Sequence, residues 1–316
     1  MSTLQQGLVL RTDAKVCHVE VEGRVVQAAP RGILYTTDGQ RSEQKNPVAV
    51  GDQVEVDLTT SPASLERVLP RRNCLSRTAS SHDPREQVLA ANVDQLFVIG
   101  SLGKPGFSSI RTDRILAACE WSRIPARLVV NKIDLAEEDE LEALQQTYAC
   151  TRVPLLPTCA HDKRGLDEFA ALLQGKTTVL YGASGAGKSS LLNAIKPALA
   201  LKVGKISRYW DAGRHTTSFS QIYELEPGTR VVDTPGIRTF RLYGVPLANL
   251  RDLFPEFAAF HARCGFPDCT HDHEPECEVF EAVERGELAA SRYASYVEML
   301  DEMRGARRAD DEPEEE

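Results

Sequence analysis

A glycine-rich segment, GASGAGKSS (182–190), has the residue types and spacing of a phosphate-binding loop. The apolar segment TTVLYG precedes it and SSLLNAI follows it, as in a strand–loop–helix unit. Small residues let backbone N–H groups point at phosphate oxygens, while a glycine-rich turn without a ligand is the alternative. Lys188 would neutralise phosphate charge and Ser189 would ligate Mg²⁺. The residues expected at the phosphates are Gly182, Ala183, Ser184, Gly185, Ala186, Gly187, Lys188, Ser189 and Ser190.

Two further segments could act on the same phosphates. In VVDTPGIR (231–238), Asp233 would hold Mg²⁺ through water and the Gly236 N–H would reach the terminal phosphate. A strand followed by DTPG is also typical of a tight turn with proline at its first corner. In the polar segment DAGRHTTS (211–218), either Thr216 or Thr217 could complete the Mg²⁺ shell, and a solvated loop is the alternative.

The segment NKID (131–134) could recognise guanine. Asp134 would accept hydrogen bonds from guanine N1–H and the 2-amino group, a pair of donors that adenine does not offer. Asn131 would bond the base edge or brace the phosphate loop, and the Lys132 stem would cover the ring. Such a short motif also occurs by chance, but here it ends a predicted strand, where open parallel sheets bind ligands. The residues expected at the base are Asn131, Lys132, Ile133 and Asp134, backed by the N–H of Ala160 in PTCA (157–160).

The order of these motifs is unusual, because NKID precedes the phosphate loop. In an ordinary GTPase the phosphate loop comes first and the base-reading motif follows it. Cutting such a domain after its middle strands and joining its old termini gives the present order. A sheet tolerates that cut where it falls in a surface loop. The sequence therefore predicts a circularly permuted GTPase domain.

Three cysteines lie within 14 residues, CGFPDCTHDHEPEC (264–277), together with two histidines. Three thiolates and one imidazole form a closed tetrahedral set that is typical of structural zinc. Disulfides are a competing interpretation, although three cysteines leave one unpaired, and a redox role is less favoured. The remaining cysteines are scattered, and we expect them to be reduced and structural.

The elements that must position these residues fall into three regions. Alternating segments such as AKVCHVEVEG and GDQVEVDL predict a small closed barrel of the OB type. From about 90 to 200, the strands QLFVIG, RLVVNKI, VPLLPT and KTTVLYG alternate with helices near 109–121, 138–148 and 166–174, which predicts a parallel sheet. A helix with apolar residues at helical spacing, LAASRYASYVEMLDEM, follows the cysteine-rich loop. The predicted fold is multidomain α/β, with a barrel over 1–72, a GTPase domain over 73–244 and a helical zinc-binding domain over 245–316.

Composition restricts the class of protein. The 316 residues are 42% hydrophobic and 26% charged, which is ordinary for a globular protein. No apolar run approaches the ~20 residues that cross a bilayer, and the N-terminus lacks a signal-peptide pattern, so we expect a soluble cytoplasmic protein without membrane contact. The net charge of −9 argues weakly against nucleic acid, but the tail DDEPEEE carries six of those charges. A local basic segment, PRRN (70–73), therefore matters more than the total.

The chain resembles the RsgA (YjeQ) family of circularly permuted GTPases, which act in small ribosomal subunit biogenesis. The resemblance covers almost the whole chain and is carried by PVAVGDQVEV, LPRRNCLSR, AANVDQLFVIGS, YGASGAGKSSLLN, GRHTTS and VVDTPGIR. Ser218 stands where the family usually has threonine, which leaves Thr216 and Thr217 as the Mg²⁺ candidates. The resemblance implies GTP, Mg²⁺ and one structural Zn²⁺ per chain, with the zinc held by Cys264, Cys269, His271 and Cys277. His273 is then a bystander or an outer-shell residue.

The resemblance also implies partners and a mechanism. A monomer would bind the small (30S) subunit and its rRNA late in assembly, alongside other assembly factors, and the subunit would stimulate GTP hydrolysis. Ile237 replaces the glutamine that orients water in Ras-like enzymes, so intrinsic hydrolysis should be slow. His215 is similar to the family's candidate for orienting that water, and a solvated loop histidine is the alternative.

Two other function classes stay open from the sequence. A P-loop enzyme acting on a small molecule, such as an ATP-dependent kinase, shares the phosphate loop but needs neither NKID nor DTPG. A nucleotide-dependent RNA-binding protein without hydrolysis is compatible with Ile237, which removes the usual catalytic marker.

Overall fold

The computed structural model describes residues 4–13, 15–37, 40–41, 43–80, 82–201, 220–233, 240–272 and 274–311. Within these ranges, none of the helices combines the length and the apolar character that crossing a membrane requires.

The N-terminal region is a closed five-stranded barrel. Its strands follow the order β1-β2-β3-β7-β6, and β1 also pairs with β6 to close the ring. The β3–β7 pair is parallel and the other pairs are antiparallel. Alternate residues such as Val19, Val54 and Leu65 are buried inside it, which confirms the predicted OB-type barrel. The strands of this region are β1 (Gln5–Thr12), β2 (Cys17–Val21), β3 (Arg24–Pro30), the short β4 (Thr36–Thr37) and β5 (Gln40–Arg41), β6 (Gln53–Asp57) and β7 (Ala63–Val68).

A two-stranded hairpin follows the barrel and was not predicted. It consists of β8 (Cys74–Ser80) and β9 (Asp83–Ala91), which pair only with each other among the described strands. The Ala91 N–H donates to the Val50 carbonyl at 2.8 Å, so the hairpin is joined to the segment that precedes β6 of the barrel.

The central region is a six-stranded sheet in the order β12-β11-β10-β13-β15-β14. All neighbours are parallel except β14 and β15. Apolar side chains cover both faces, which explains the continuous apolar runs in the sequence. The predicted helices are confirmed, and the elements are β10 (Gln95–Ser101), α1 (Ser109–Trp121), β11 (Ala126–Asn131), α2 (Glu140–Ala149), β12 (Leu155–Pro157), α3 (Leu166–Leu173), β13 (Thr177–Tyr181), α4 (Lys188–Ile195), β14 (Gln221–Glu226) and β15 (Thr229–Asp233).

The barrel and the central sheet are continuous. Strand β14 pairs with β1 through Arg11 and Gln221, so that eleven strands form one sheet. Arg230 of β15 also forms an ion pair with Glu20 of β2 at 2.9 Å. The barrel is therefore attached directly to the strands that flank the two predicted phosphate-side loops.

The C-terminal region contains 3-10 turns over Leu247–Leu253 and Pro255–Phe257, then α5 (Ala258–His261), α6 (Glu278–Glu284) and α7 (Ala290–Asp311). Helix α7 extends eight residues beyond the predicted segment, which ended at 303. Tyr296 and Leu300 of α7 pack on Phe254 and Phe257 in a separate apolar core. The predicted fold class, with a barrel, a central α/β region and a helical C-terminal region, is confirmed, and the domain bounds stay a prediction.

A buried ion cluster joins the C-terminal region to the central one. Arg292 of α7 lies 2.7 Å from Asp113 Oδ1 of α1 and 2.6 Å from Glu256 Oε1. The Tyr148 hydroxyl of α2 donates to the same Asp113 oxygen at 2.8 Å. The guanidinium also lies over the Phe254 ring, 4.6 Å from its centroid. Charged groups of both regions are thus paired inside the protein.

Candidate nucleotide site and metal cluster

The predicted phosphate loop connects β13 to α4. A side chain at Gly182 would place its Cβ 2.4 Å from the Ile99 carbonyl oxygen, and one at Gly187 would lie 2.1 Å from Asn131 Nδ2. Gly187 also has a φ of 97°, a conformation that L side chains rarely adopt. The loop therefore requires glycine at both ends, where it passes against β10 and against NKID.

Lys188 and Asp233 lie together at the end of the sheet. The Lys188 ammonium donates to the carbonyls of Gly182 at 2.6 Å and Ala183 at 3.2 Å, so it folds back over the loop. Asp233 ends β15, in register with Leu180 of β13. Burial lowers the pKa of Lys188 and raises that of Asp233 to about 6, while the attraction between the two opposes both shifts. A bound phosphate would stabilise the charged lysine, and a divalent cation would stabilise the carboxylate.

Asn131 connects the base-reading motif to the phosphate loop. Its side chain is buried, and Nδ2 donates to the Ala186 carbonyl at 3.0 Å. Its Oδ1 accepts from the Ala160 N–H at 3.3 Å and lies 3.5 Å from the Thr158 hydroxyl. Of the two roles that the sequence left open for Asn131, the structure shows the bracing contact. We expected the Ala160 N–H to contact the guanine base, but in the structure it donates to Asn131 Oδ1.

The side chains of Lys132, Asp134 and Ser190 line a cavity of about 470 Å³, a volume within the range of small-ligand sites. The Lys132 ammonium donates to the Lys104 carbonyl at 2.5 Å. Ile133 is not part of the cavity lining and packs against the apolar core on one face of the central sheet. The full cavity lining is Asn131, Lys132, Asp134, Cys159, Ala160, His161, Gly187, Ser190, Asn193 and Ala194.

Cys159 was expected to be one of the scattered structural cysteines, but its thiol lies at the site and donates to Asp134 Oδ1 at 3.1 Å. The signal that pointed toward it was the segment PTCA at the end of a predicted strand. His215, Thr216, Thr217 and Gly236, together with Ile237, lie outside the described residues.

The C-terminal region brings four predicted metal ligands together. The donor atoms of Cys264, Cys269, His271 and Cys277 all lie within 4.8 Å of one another. His271 Nδ1 is 3.5 Å from Cys277 Sγ and 3.7 Å from Cys264 Sγ. Burial raises the pKa of the Cys277 thiol and lowers that of His271 to about 4, so the imidazole is neutral and able to ligate. Three sulfurs and one such nitrogen fit zinc and leave no ligand position open.

Helices hold the loop that carries these ligands. The Tyr293 hydroxyl of α7 donates to the His271 carbonyl at 2.7 Å, and Tyr296 donates to the Thr270 carbonyl at 2.5 Å. Arg251 donates to the Cys269 carbonyl at 2.9 Å. The cluster is thus built into the C-terminal core, as a structural site requires.

Known proteins resemble this chain over nearly its full length. A family model described as RsgA GTPase matches residues 68–243. The Small ribosomal subunit biogenesis GTPase RsgA of Phocaeicola vulgatus is 37% identical over 302 residues, covering 94% of this chain and 96% of that protein. The crystal structure of YjeQ from Thermotoga maritima aligns with a TM-score of 0.72 at 33% identity, over 96% of this chain and 99% of that one. YloQ, described as a circularly permuted GTPase, aligns with a TM-score of 0.66 at 29% identity, over 99% and 98% of the two chains.

Proposed function

The chain belongs to the RsgA GTPase family and is a GTP hydrolase, and from that premise we propose that it acts in late assembly of the small ribosomal subunit. The hydrogen bond from Asn131 Nδ2 to the Ala186 carbonyl, at 3.0 Å, is the observation that supports the proposal most strongly. It joins the guanine motif to the phosphate loop although the two stand in permuted order. A small-molecule kinase would not need this pairing. A non-hydrolysing GTP-dependent RNA-binding protein would keep it, and it is family membership that favours hydrolysis over that alternative.

The roles of the nucleotide-binding residues follow from their positions. GTP would place its base in the cavity beside Asp134, with the Lys132 stem over the ring. The loop 182–190 would surround the phosphates, and Lys188 would leave its two carbonyl partners to pair with phosphate oxygens. Ser189 and Asp233 would hold Mg²⁺, which supplies charge neutralisation at the β- and γ-phosphates.

The remaining catalytic roles rest on the sequence. Thr216 or Thr217 would complete the Mg²⁺ shell, and the Gly236 N–H would contact the γ-phosphate. His215 would orient the attacking water, since Ile237 offers no polar group for it. A bound subunit would bring this group, or one of its own, to the water.

The other two regions would serve recognition and stability. The OB-type barrel over 1–72 would bind rRNA. The basic segment PRRN, which the sequence singled out, offers little free charge for this role, because Arg71 pairs with buried Asp52 at 2.7 Å and Arg72 pairs with Asp94 at 2.8 Å. The region 245–316 would hold one structural zinc through Cys264, Cys269, His271 and Cys277, next to the GTPase region over 73–244. We expect a cytoplasmic monomer whose partners are the small subunit and other assembly factors.

Subunit binding in defined nucleotide states tests this proposal. Purified small subunits would be sedimented with the protein in a non-hydrolysable GTP analogue or in GDP. We expect tighter binding with the analogue, because only the γ-phosphate can contact both the threonine segment and Gly236, and weaker binding as salt rises. Equal affinity in both nucleotide states would contradict the proposed role.

A further inference from the structure

The backbone of His271 is strained at the metal cluster. Its φ of 59° lies in the left-handed region, which a residue with a side chain rarely adopts. Such a conformation persists only where the surrounding contacts hold it. The imidazole is buried, and its Nδ1 is the ring atom that lies beside the sulfurs of Cys264 and Cys277. The position of this ligand atom therefore depends on the groups that hold the strained backbone.

The ring of His271 is held by packing alone among the described residues. In metal sites, the second ring nitrogen of a ligating histidine usually donates to a carboxylate, a carbonyl or water. Here Nε2 is buried without a hydrogen-bond partner in the described part of the chain. The rings of Phe257, His261 and Tyr296 pack around the imidazole. Polar contacts that orient this ligand are therefore to be found on the backbone beside it.

One carboxylate holds the backbone on both sides of His271. Glu274 Oε1 accepts from the Thr270 N–H and from the Thr270 hydroxyl, both at 2.6 Å. Its Oε2 accepts from the Asp272 N–H at 3.2 Å. Hydrogen bonds to an ionised acceptor are roughly twice as strong as those between neutral groups. The residues before and after His271 are thus tied to a single side chain.

Helix α7 makes room for this negative charge beside the cysteines. The Cys269 sulfur lies 3.6 Å from Glu274 Oε2, and a cysteine that ligates a metal is a thiolate. Arg304 of α7 pairs with Asp272 Oδ2 at 2.5 Å and donates to the Thr270 hydroxyl at 3.2 Å. Its guanidinium therefore brings positive charge to the residues that Glu274 holds, which offsets the repulsion between the carboxylate and the thiolates.

We propose that Glu274 is a positioning residue for zinc, whose carboxylate brackets His271 and keeps its Nδ1 among the three sulfurs. This inference rests on the proposed zinc site and deepens it. Zinc has no geometric preference from its own electrons, so the protein must place the ligands. A carboxylate accepts at both oxygens, whereas the amide of a glutamine presents a donor to one of the two N–H groups.

Glu274→Gln keeps the shape of the side chain and removes one of its two acceptors. Glu276→Gln is the matched control, because Glu276 is exposed, belongs to the same loop and lies beside Gly265. Zinc dissociation constants of the full chain would be measured by competition with a chromophoric chelator, and GTP affinity by titration calorimetry.

We expect Glu274→Gln to weaken zinc binding about 10- to 100-fold, the usual effect of losing a group that orients a metal ligand. Glu276→Gln should bind zinc as the wild type does, and both variants should keep their GTP affinity. Wild-type zinc affinity in Glu274→Gln, or an equal loss in Glu276→Gln, would overturn the inference.

A double-mutant cycle with His271→Ala tests whether Glu274 acts through His271. Three cysteines remain in this variant and bind zinc more weakly. Adding Glu274→Gln to it should change the zinc affinity by less than about twofold, because the ligand that the carboxylate positions is already gone. A further loss as large as in the wild-type background would overturn the inference and make Glu274 a residue of general loop stability.

Failure of the proposed zinc site would look different, because the wild-type protein would then bind no zinc. If Glu274→Gln does not fold at saturating zinc, Thr270→Val takes its place, since it removes one hydrogen bond to the same carboxylate at nearly constant shape. We then expect zinc binding to weaken about three- to tenfold, the range of one net hydrogen bond, and wild-type affinity would overturn the inference.

Discussion

Replacing Arg292 by methionine should destabilise the protein by about 3–5 kcal/mol, the cost of breaking a buried ion pair. Arg292 is 3% exposed and pairs with Asp113 and Glu256, which are also buried. The second oxygen of each carboxylate has no hydrogen-bond partner among the described residues. Two carboxylates share one guanidinium, so the cluster holds more negative than positive charge. Removing Arg292 leaves both carboxylates buried without their cation.

A compensating variant tests whether charge is the cause. Adding Asp113→Asn and Glu256→Gln to Arg292→Met removes both unpaired charges while keeping the side-chain volumes. We expect this triple variant to recover most of the lost stability, because a buried pair replaced as a whole costs little. The Tyr148 hydroxyl can still donate to the amide oxygen at position 113.

The assay is equilibrium urea unfolding followed by circular dichroism, on nucleotide-free protein with its zinc. Arg285→Met is the control, because Arg285 is 42% exposed and pairs with Glu278 and Glu287 at the surface. It should leave stability nearly unchanged. A loss of stability below about 1 kcal/mol in Arg292→Met, in the range of a surface pair, would show that this buried cluster does not contribute as a buried ion pair does. So would a triple variant no more stable than the single one.

Three further predictions concern the site and the metal cluster. Asp134→Asn should weaken GTP binding by about 2–5 kcal/mol and relax selection against other purines, because one acceptor becomes a donor; unchanged GTP-over-ATP preference in calorimetry would count against it. Cys269→Ser should lower the zinc content below one per chain by elemental analysis and loosen the C-terminal region, with GTP affinity retained. Burial raises the pKa of Asp233 to about 6, whereas the pKa of an aspartate in the unfolded chain is about 4. The ionisation of Asp233 therefore lowers the stability of the folded state as the pH rises between these two values. Asp233→Asn should therefore stabilise the nucleotide- and metal-free protein by about 1–2 kcal/mol at pH 7.5, a value reduced because Asp233 is partly exposed, and by less at pH 5. An equal gain in stability at both pH values would exclude the ionisation of Asp233 as the cause.

The sequence predicted the central sheet and the phosphate loop because their signals are local. Strands β10, β11 and β13 are buried on both faces and read as continuous apolar runs. The sequence also predicted that NKID lies close to the phosphate loop, since the carboxyl ends of parallel strands meet at one edge of a sheet. The Cys/His cluster could be predicted because its three cysteines lie within 14 residues, and the family resemblance selected His271 rather than His273.

Contacts between distant segments could not be predicted in this way. The β1–β14 pairing joins residues 11 and 221, and no local pattern specifies which strands meet at a sheet edge. Arg292 lies in a polar helical sequence and looks like a solvent-facing residue, yet its partners come from α1 and the turn at 255–257. The contact of Cys159 with Asp134 depends on side-chain directions at a strand end, which spacing alone does not fix.

The rate of GTP hydrolysis, measured with and without purified small ribosomal subunits, tests whether the subunit activates this GTPase. We expect slow turnover by the protein alone, since Ile237 cannot orient water, and strong stimulation by the subunit. His215→Ala should reduce the stimulated rate far more than it reduces GTP affinity. A hydrolysis rate that subunits leave unchanged would show that the small subunit does not activate this protein.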